Sequence, residues 1–231
     1  MKFETEVLDI IQRTPDSKSF RFAAPKGFVY LAGQYFFVTL KINGQEKTKH
    51  FSFSTSPTEK GYIEFTKKIT DSEFSKALDG LRKGDLARIM GPEGKFVYGG
   101  EKKLAFLSGG IGITPLRSMM KYVVDGGIKT DIILLYSNKT PVDIVFKEEL
   151  EDFDKKPNIR IVNTITSPDA LGAQWNGMIG RIDESVIRKE IPDFRERAFY
   201  VCGPPVMVEA MLDALKRLNV ENIRKENFSG Y

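Results

Sequence analysis

The hydrophobic pattern changes character once along the chain. Up to about residue 98, apolar residues come in short runs rich in aromatic and β-branched side chains: Phe3 to Ile10, Ser19 to Phe22, Phe36 to Leu40, Phe51 to Ser54, Tyr62 to Lys67 and Ala87 to Met90. Turn formers separate them at Pro25-Lys26-Gly27, Asn43-Gly44, Glu59-Lys60-Gly61 and Lys83-Gly84-Asp85. Short strands at such regular spacing predict a closed antiparallel β-barrel, which leaves no edge unpaired. The one helical interruption is Ser72 to Leu78, where Phe74, Ala77 and Leu78 recur at helical intervals.

After Gly99-Gly100 the strands become unbroken apolar runs that alternate with amphipathic helices. Strands are expected at Leu104 to Ser108, Asp131 to Ser137, Ile159 to Ile165 and Ala198 to Cys202, with a short last one at Ile223 to Lys225. Helices are expected at Pro115 to Val124, Val142 to Phe153, Asp183 to Lys189 and Val206 to Leu218. This alternation specifies an α/β doubly wound parallel sheet covered on both faces. The expected domains are therefore 1–98, an antiparallel β-barrel, and 99–231, a parallel α/β domain.

Composition narrows the function. Lysine and arginine total 35 against 31 acidic residues, and the two signs are interspersed, as at Lys147-Glu148-Glu149. Nucleic acid binding would gather basic residues on one face. No apolar run is long enough to span a bilayer, and MKFETEVLDI lacks the basic-then-apolar order of a signal peptide, so a cytoplasmic location is expected. A lone cysteine, Cys202, excludes an intrachain disulfide and a four-thiolate cluster within this chain, and with a single histidine no metal site is expected. Ser108-Gly109-Gly110 lacks the preceding glycine of a nucleophile elbow, which argues against a hydrolase.

Three places can hold a phosphate. The strand ending at Ser108 enters Gly109-Gly110-Ile111-Gly112-Ile113-Thr114-Pro115, where glycines admit a ligand close to the backbone. Thr114 can cap the following helix and Pro115 suits its first position. Helix-start N–H groups there would meet a pyrophosphate. A second strand-to-helix turn, Cys202-Gly203-Pro204-Pro205, should open at the same end of the sheet. Cys202 reads either as a small buried hydrophobe or as a polarisable wall of a nicotinamide pocket, without a base to make it a nucleophile. The third place is the helix start at Ser72-Glu73-Phe74-Ser75.

Together these motifs resemble the ferredoxin–NADP⁺ reductase superfamily, in its form with only flavin and nucleotide domains. Lys49-His50-Phe51-Ser52, followed by Phe53-Ser54-Thr55-Ser56-Pro57, is similar to the family's Arg-x-Tyr-Ser stretch. Ala32-Gly33-Gln34-Tyr35 resembles its Pro-Gly-Gln-Tyr turn, Ser72 to Ser75 its Gly-x-x-Ser element, and Gly91-Pro92 with Gly94 the end of its barrel. Gly109 to Pro115 and Cys202-Gly203-Pro204 match its nucleotide-side signatures. The resemblance implies hydride transfer between NAD(P)H and bound FAD, with electrons passed to a separate acceptor protein or free flavin. A non-catalytic relay subunit of a larger redox complex is the alternative.

The resemblance also implies roles. Ser52 would hydrogen-bond near flavin N5, Phe51 would pack on the isoalloxazine, and Lys49 would contact a flavin phosphate. Thr66, Lys67, Ser72, Phe74 and Ser75 would complete the flavin site. His50 reads as solvated or packed, or as a cofactor contact. Lysine for arginine removes a rigid fork, and phenylalanine for tyrosine removes a hydroxyl. Gly109, Gly110, Gly112, Ile113, Thr114 and Pro115 would hold the nucleotide, with Cys202, Gly203 and Pro204 on the nicotinamide side. Ser137-Asn138-Lys139 would meet the adenosine ribose, where Ser137 and Lys139 could also satisfy a 2′-phosphate. Arg117 and Lys121 read as solvated. Phe228 or Tyr231 would supply a movable aromatic against the flavin.

Overall fold

The computed structural model describes residues 1–167 and 175–228. Its contacts divide the chain into two compact units: Met1–Tyr98 with Thr114–Gly126, and Gly99–Ile113 with the chain from Gly127 onward.

The first unit holds a six-stranded antiparallel sheet of β1 (Lys2–Thr14), β2 (Ser17–Ala23), β3 (Tyr35–Ile42), β4 (Gln45–Ser52), β5 (Tyr62–Lys68) and β6 (Leu86–Glu93), in the order β4-β3-β6-β1-β2-β5. The Asn43-Gly44 hairpin, with both residues at positive φ, joins β3 to β4. β4 extends six residues before the predicted start at Phe51; its polar first part lies along the sheet edge and buries no stripe that a pattern could reveal. The two end strands approach each other through a ring stack of Phe51 on Phe65 at 4.2 Å and a hydrogen bond from Ser54 N–H to the Glu64 carbonyl at 2.8 Å. Inside lie Phe20, Phe22, Phe36, Phe53, Phe65 and Ile89, all fully buried. Helix α1 (Glu73–Asp79) packs Phe74 and Leu78 into this core.

The second unit is a parallel sheet in which β10 (Met178–Ile179), β9 (Ile159–Ile165), β8 (Asp131–Asn138), β7 (Lys103–Gly109), β11 (Ala198–Gly203) and β12 (Ile223–Asn227) lie side by side in that order. One face of β7, β8 and β11 packs Leu107, Leu135 and Val201 against Ile187 of α4 (Glu184–Glu190) and Val208 and Leu215 of α5 (Pro205–Arg217).

Two helix starts differ from expectation. The helix after the glycine turn, α2 (Ile113–Asp125), begins two residues before Pro115 and follows a 3-10 turn over Gly110–Gly112. Thr114 is thus inside the helix rather than its cap, and Pro115 sits in the first turn, where its missing N–H still costs nothing. The helix predicted over Val142 to Phe153 is two pieces: a 3-10 turn Pro141–Asp143, and α3 (Lys147–Asp154). Phe146, at φ 60°, stands in the left-handed region and separates them. None of the helices among the described residues is long and apolar enough to cross a membrane.

Candidate functional site

On the barrel side, β4 ends at Ser52, which is paired with Tyr35 of β3 and buried except for a small opening. Lys49 and His50 are exposed, and the His50 ring packs beside Tyr35 at 5.2 Å and Phe37 at 6.0 Å. His50 thus stands within a small outward cluster of rings. Phe51 departs from its expected role. It is 5% exposed, stacked on Phe65 and close to Phe74, so its ring belongs to the core rather than to a cofactor wall. Without a tyrosine hydroxyl to keep hydrated, that ring gains most by complete burial.

Lys67 is the informative residue of this region. At the end of β5 it is 5% exposed, its Nζ donates to the Lys68 carbonyl at 2.9 Å, and burial together with the charge on Lys49 lowers its pKa to about 8. Two like charges brought together at a nearly buried position are stabilised when an anion joins them. That donor set fits the pyrophosphate of FAD. At the start of α1, Ser72 accepts the Ser75 N–H, and the buried Ser75 hydroxyl accepts the Thr70 N–H at 2.8 Å. Thr66 lies deeper than a cofactor contact would. It is buried and hydrogen-bonds with Ser19 at 2.7 Å and Ser54 at 3.0 Å, an interior role that its cross-strand pairing with Ser19 explains.

Sequence reasoning missed the charged residues that hold Ser54. Glu64, 2% exposed, accepts from Arg21 at 2.6 Å, Arg13 at 3.3 Å and the Ser54 hydroxyl at 3.0 Å. A carboxylate between Ile63 and Phe65 was the available signal, since Arg21 pairs directly with it across the strands. Arg117 is buried, against its solvated reading, because its guanidinium donates to the Ser54 carbonyl at 2.8 Å and pairs with Glu59. Burial alone would raise the Glu59 carboxyl, but the Arg117 guanidinium outweighs it and holds that pKa low. Lys121 is partly exposed and pairs with Asp125 one turn along.

On the nucleotide side, the two predicted turns meet. A Cβ added at Gly112 would lie 2.4 Å from the Cys202 carbonyl oxygen and 2.6 Å from Gly203 Cα, so the backbones of the two turns are in contact. A Cβ at Gly109 would meet only the movable end of the Met207 side chain, Sδ at 2.2 Å, whereas Gly110, at φ 52°, has open space where its side chain would be. Tyr136 donates to the Gly110 carbonyl at 2.8 Å and holds that oxygen down. Pro204 is the residue before α5. The Phe228 N–H donates to the Gly203 carbonyl at 3.0 Å, which seats the residue after β12 at this turn. Tyr231 lies outside the described residues.

Toward the carboxyl ends of β7 and β9, the Ser108 hydroxyl and the Asn163 carbonyl oxygen are enclosed without a hydrogen-bond partner among the described residues. Each costs about 1–3 kcal/mol unless a water or ligand group joins it. Orphaned polar groups beside open glycine backbone fit a nicotinamide nucleotide. Asn138 is buried and Lys139 exposed, while Ser137 is intermediate, so only the latter two present surface to an adenosine ribose. Asp143 is occupied as a cap, accepting the Thr140 N–H at 2.9 Å and the Thr140 hydroxyl at 2.7 Å.

Cys202 lies near the carboxyl end of β11. It is fully buried, and burial, then the Glu226 charge, pushes its thiol well above the ordinary range. In the folded protein a thiol reagent should modify it at less than about a hundredth of its rate in denaturant; rapid labelling of the native protein would contradict that enclosure.

These features define an oxidoreductase with a flavin barrel and a dinucleotide sheet. Residues 4–98 match the oxidoreductase FAD-binding domain family, and residues 106–213 the oxidoreductase NAD-binding domain family. NADH-cytochrome b5 reductase 1 of Ajellomyces capsulatus is 31% identical over 215 residues, covering 86% of this chain and 68% of that protein. A glycine betaine monooxygenase reductase subunit of Chromohalobacter salexigens is 31% identical over 229 residues, covering 95% of this chain; the chain spans 62% of that relative's length. The crystal structure of a Neisseria gonorrhoeae ferredoxin NADP⁺ reductase with bound FAD and NADP has the same fold, at a TM-score of 0.85 and 19% identity, covering 98% of each chain. The chain belongs to the ferredoxin–NADP⁺ reductase superfamily. Its two halves are an FAD-binding and an NAD-binding oxidoreductase domain.

Proposed function

We propose that this chain is the reductase part of an electron-transfer system, taking a hydride from NAD(P)H and delivering electrons to a separate redox protein. Its expected home is the cytoplasm, where a single thiol stays reduced. A reductase subunit and a cytochrome b5 reductase among its relatives support an acceptor that is itself a protein. The observation that carries the nucleotide half is the backbone contact of the Gly109–Gly112 turn with Cys202 and Gly203 at the carboxyl ends of parallel strands.

FAD, when bound, supplies the two-electron acceptor that can release electrons singly. The chain contributes binding, orientation and exclusion of water. Lys49 and Lys67 hold the pyrophosphate, with Ser72 and Ser75 beside them. Ser52 presents its hydroxyl from the end of β4, in a nearly closed position where a hydrogen bond is stronger than in water. The Gly110–Ile113 backbone receives the nucleotide phosphates, and Ser137 and Lys139 contact the adenosine side. No acid–base pair is required, because positioning supplies most of the rate.

Ser52→Ala tests the flavin half. It should slow flavin reduction by roughly ten- to a hundredfold, since one polar contact at the reacting atom is lost while the strand remains. Stopped-flow reduction by NAD(P)H reads this, and an unchanged rate constant would remove Ser52 from the mechanism.

A further inference from the structure

The segment that leaves Ser52 is held at several of its polar backbone groups. Phe53 N–H donates to the Gln34 carbonyl at 2.9 Å and Ser54 N–H to the Glu64 carbonyl at 2.8 Å. These two anchors come from the barrel itself. The next two come from consecutive residues of α2: Arg117 Nη1 donates to the Ser54 carbonyl at 2.8 Å, and Ser118 Oγ donates to the Thr55 carbonyl at 2.6 Å. Glu59 closes the set, accepting the Ser56 N–H at 2.7 Å while paired with Arg117. Arg117 and Glu59 have side-chain exposures of only 8% and 13%.

An arginine buried this deeply is costly unless its partners fully repay the desolvation. Two of its partners, the Ser54 carbonyl and the Glu59 carboxylate, follow Ser52 within seven residues. The same helix starts at Ile113, directly after the Gly110–Gly112 turn. Arg117 lies only four residues into it, a rise of about 6 Å over which an α-helix is stiff.

We infer that Arg117 is a positioning residue that transmits nucleotide occupancy of the Gly110–Ile113 turn to the Phe53–Ser56 segment, and so to Ser52. The inference rests on the proposal that this turn binds the nucleotide. Binding at the turn favours one placement of the first helical turn; Arg117 and Ser118 carry that preference to the Ser54 and Thr55 carbonyls. By linkage, ordering of that segment strengthens nucleotide binding by the same factor. Ser118 alone supplies a single neutral contact, so the guanidinium and its Glu59 partner carry most of the coupling.

Amide hydrogen exchange on the FAD-loaded full chain, with and without saturating NAD⁺ or NADP⁺, tests this without turnover. In the unaltered protein the nucleotide should slow exchange at Phe53, Ser54 and Ser56 by about five- to a hundredfold, the range of typical site-to-site coupling. Arg117→Gln should still protect the Gly110–Ile113 turn on adding nucleotide but leave the Phe53–Ser56 amides unresponsive, and Arg117→Lys should restore part of the response. Should Arg117→Gln fail to fold, Glu59→Gln decides, with an expected loss of most of the segment's response. Turn protection with an unaltered segment response in the variants overturns the coupling alone. Absence of nucleotide binding and of turn protection in the unaltered protein overturns the nucleotide assignment, and the coupling with it.

Discussion

Gly112→Val should abolish measurable nucleotide binding while leaving FAD binding within a fewfold of the original. The atoms a Cβ would strike at 2.4–2.7 Å are all backbone, the Cys202 carbonyl group and Gly203 Cα, so no rotamer change can relieve the overlap. The two turns must part, and the helix start moves with them. Overpacking of this kind costs about 1–3 kcal/mol in stability, and the displaced phosphate site should lose about a hundredfold or more in affinity, since its donors must keep their geometry. Titration calorimetry with NAD⁺ and NADP⁺, beside a flavin titration, measures both effects. Gly112→Ala should act in the same direction with less force. Unchanged nucleotide affinity in the valine variant would refute the placement of the site at this turn.

FAD affinity should fall as pH rises above about 8, because the lowered pKa of Lys67 sets where its charge is lost. An anionic pyrophosphate favours the ammonium form, so binding draws a proton onto Lys67 between about pH 8 and its ordinary value of 10.5. In that window affinity declines by up to about tenfold per pH unit; below it the lysine is charged in both states and affinity is level. Folding without flavin runs the opposite way. The unfolded chain holds the proton more tightly than the folded one, so stability rises over the same window. Lys67→Met should lower FAD affinity at neutral pH by about ten- to a hundredfold, the worth of a charge-assisted hydrogen bond, and should remove the decline above pH 8. A variant that keeps that decline would assign it to another group.

The two sheets were legible because their signals are local: turn dipeptides at short intervals for one, long apolar strands followed by helices for the other. The glycine turns were legible for the same reason, and their mutual contact follows from the rule that places both at the carboxyl ends of parallel strands. What the pattern could not carry was any property set by distant partners. Arg117 looks like a surface arginine on an amphipathic helix, and nothing in its neighbours in sequence announces Ser54 and Glu59, more than fifty residues away. Phe51 and Lys67 were both assigned to the cofactor by resemblance, yet one ring is spent in the barrel core while the amine stays beside Lys49. The early start of β4 and the break at Phe146 escaped because a polar edge strand and a single left-handed residue leave no periodic trace.

The central claim is that one chain holds a flavin and a nicotinamide nucleotide so that reducing equivalents pass between them. The most direct test is an anaerobic absorption spectrum of the FAD-loaded protein, taken before and after one equivalent of NADH and, separately, of NADPH. Loss of the oxidised flavin band with at least one of them, within a single turnover, is the predicted result. A flavin that stays oxidised although calorimetry shows the nucleotide bound would contradict it.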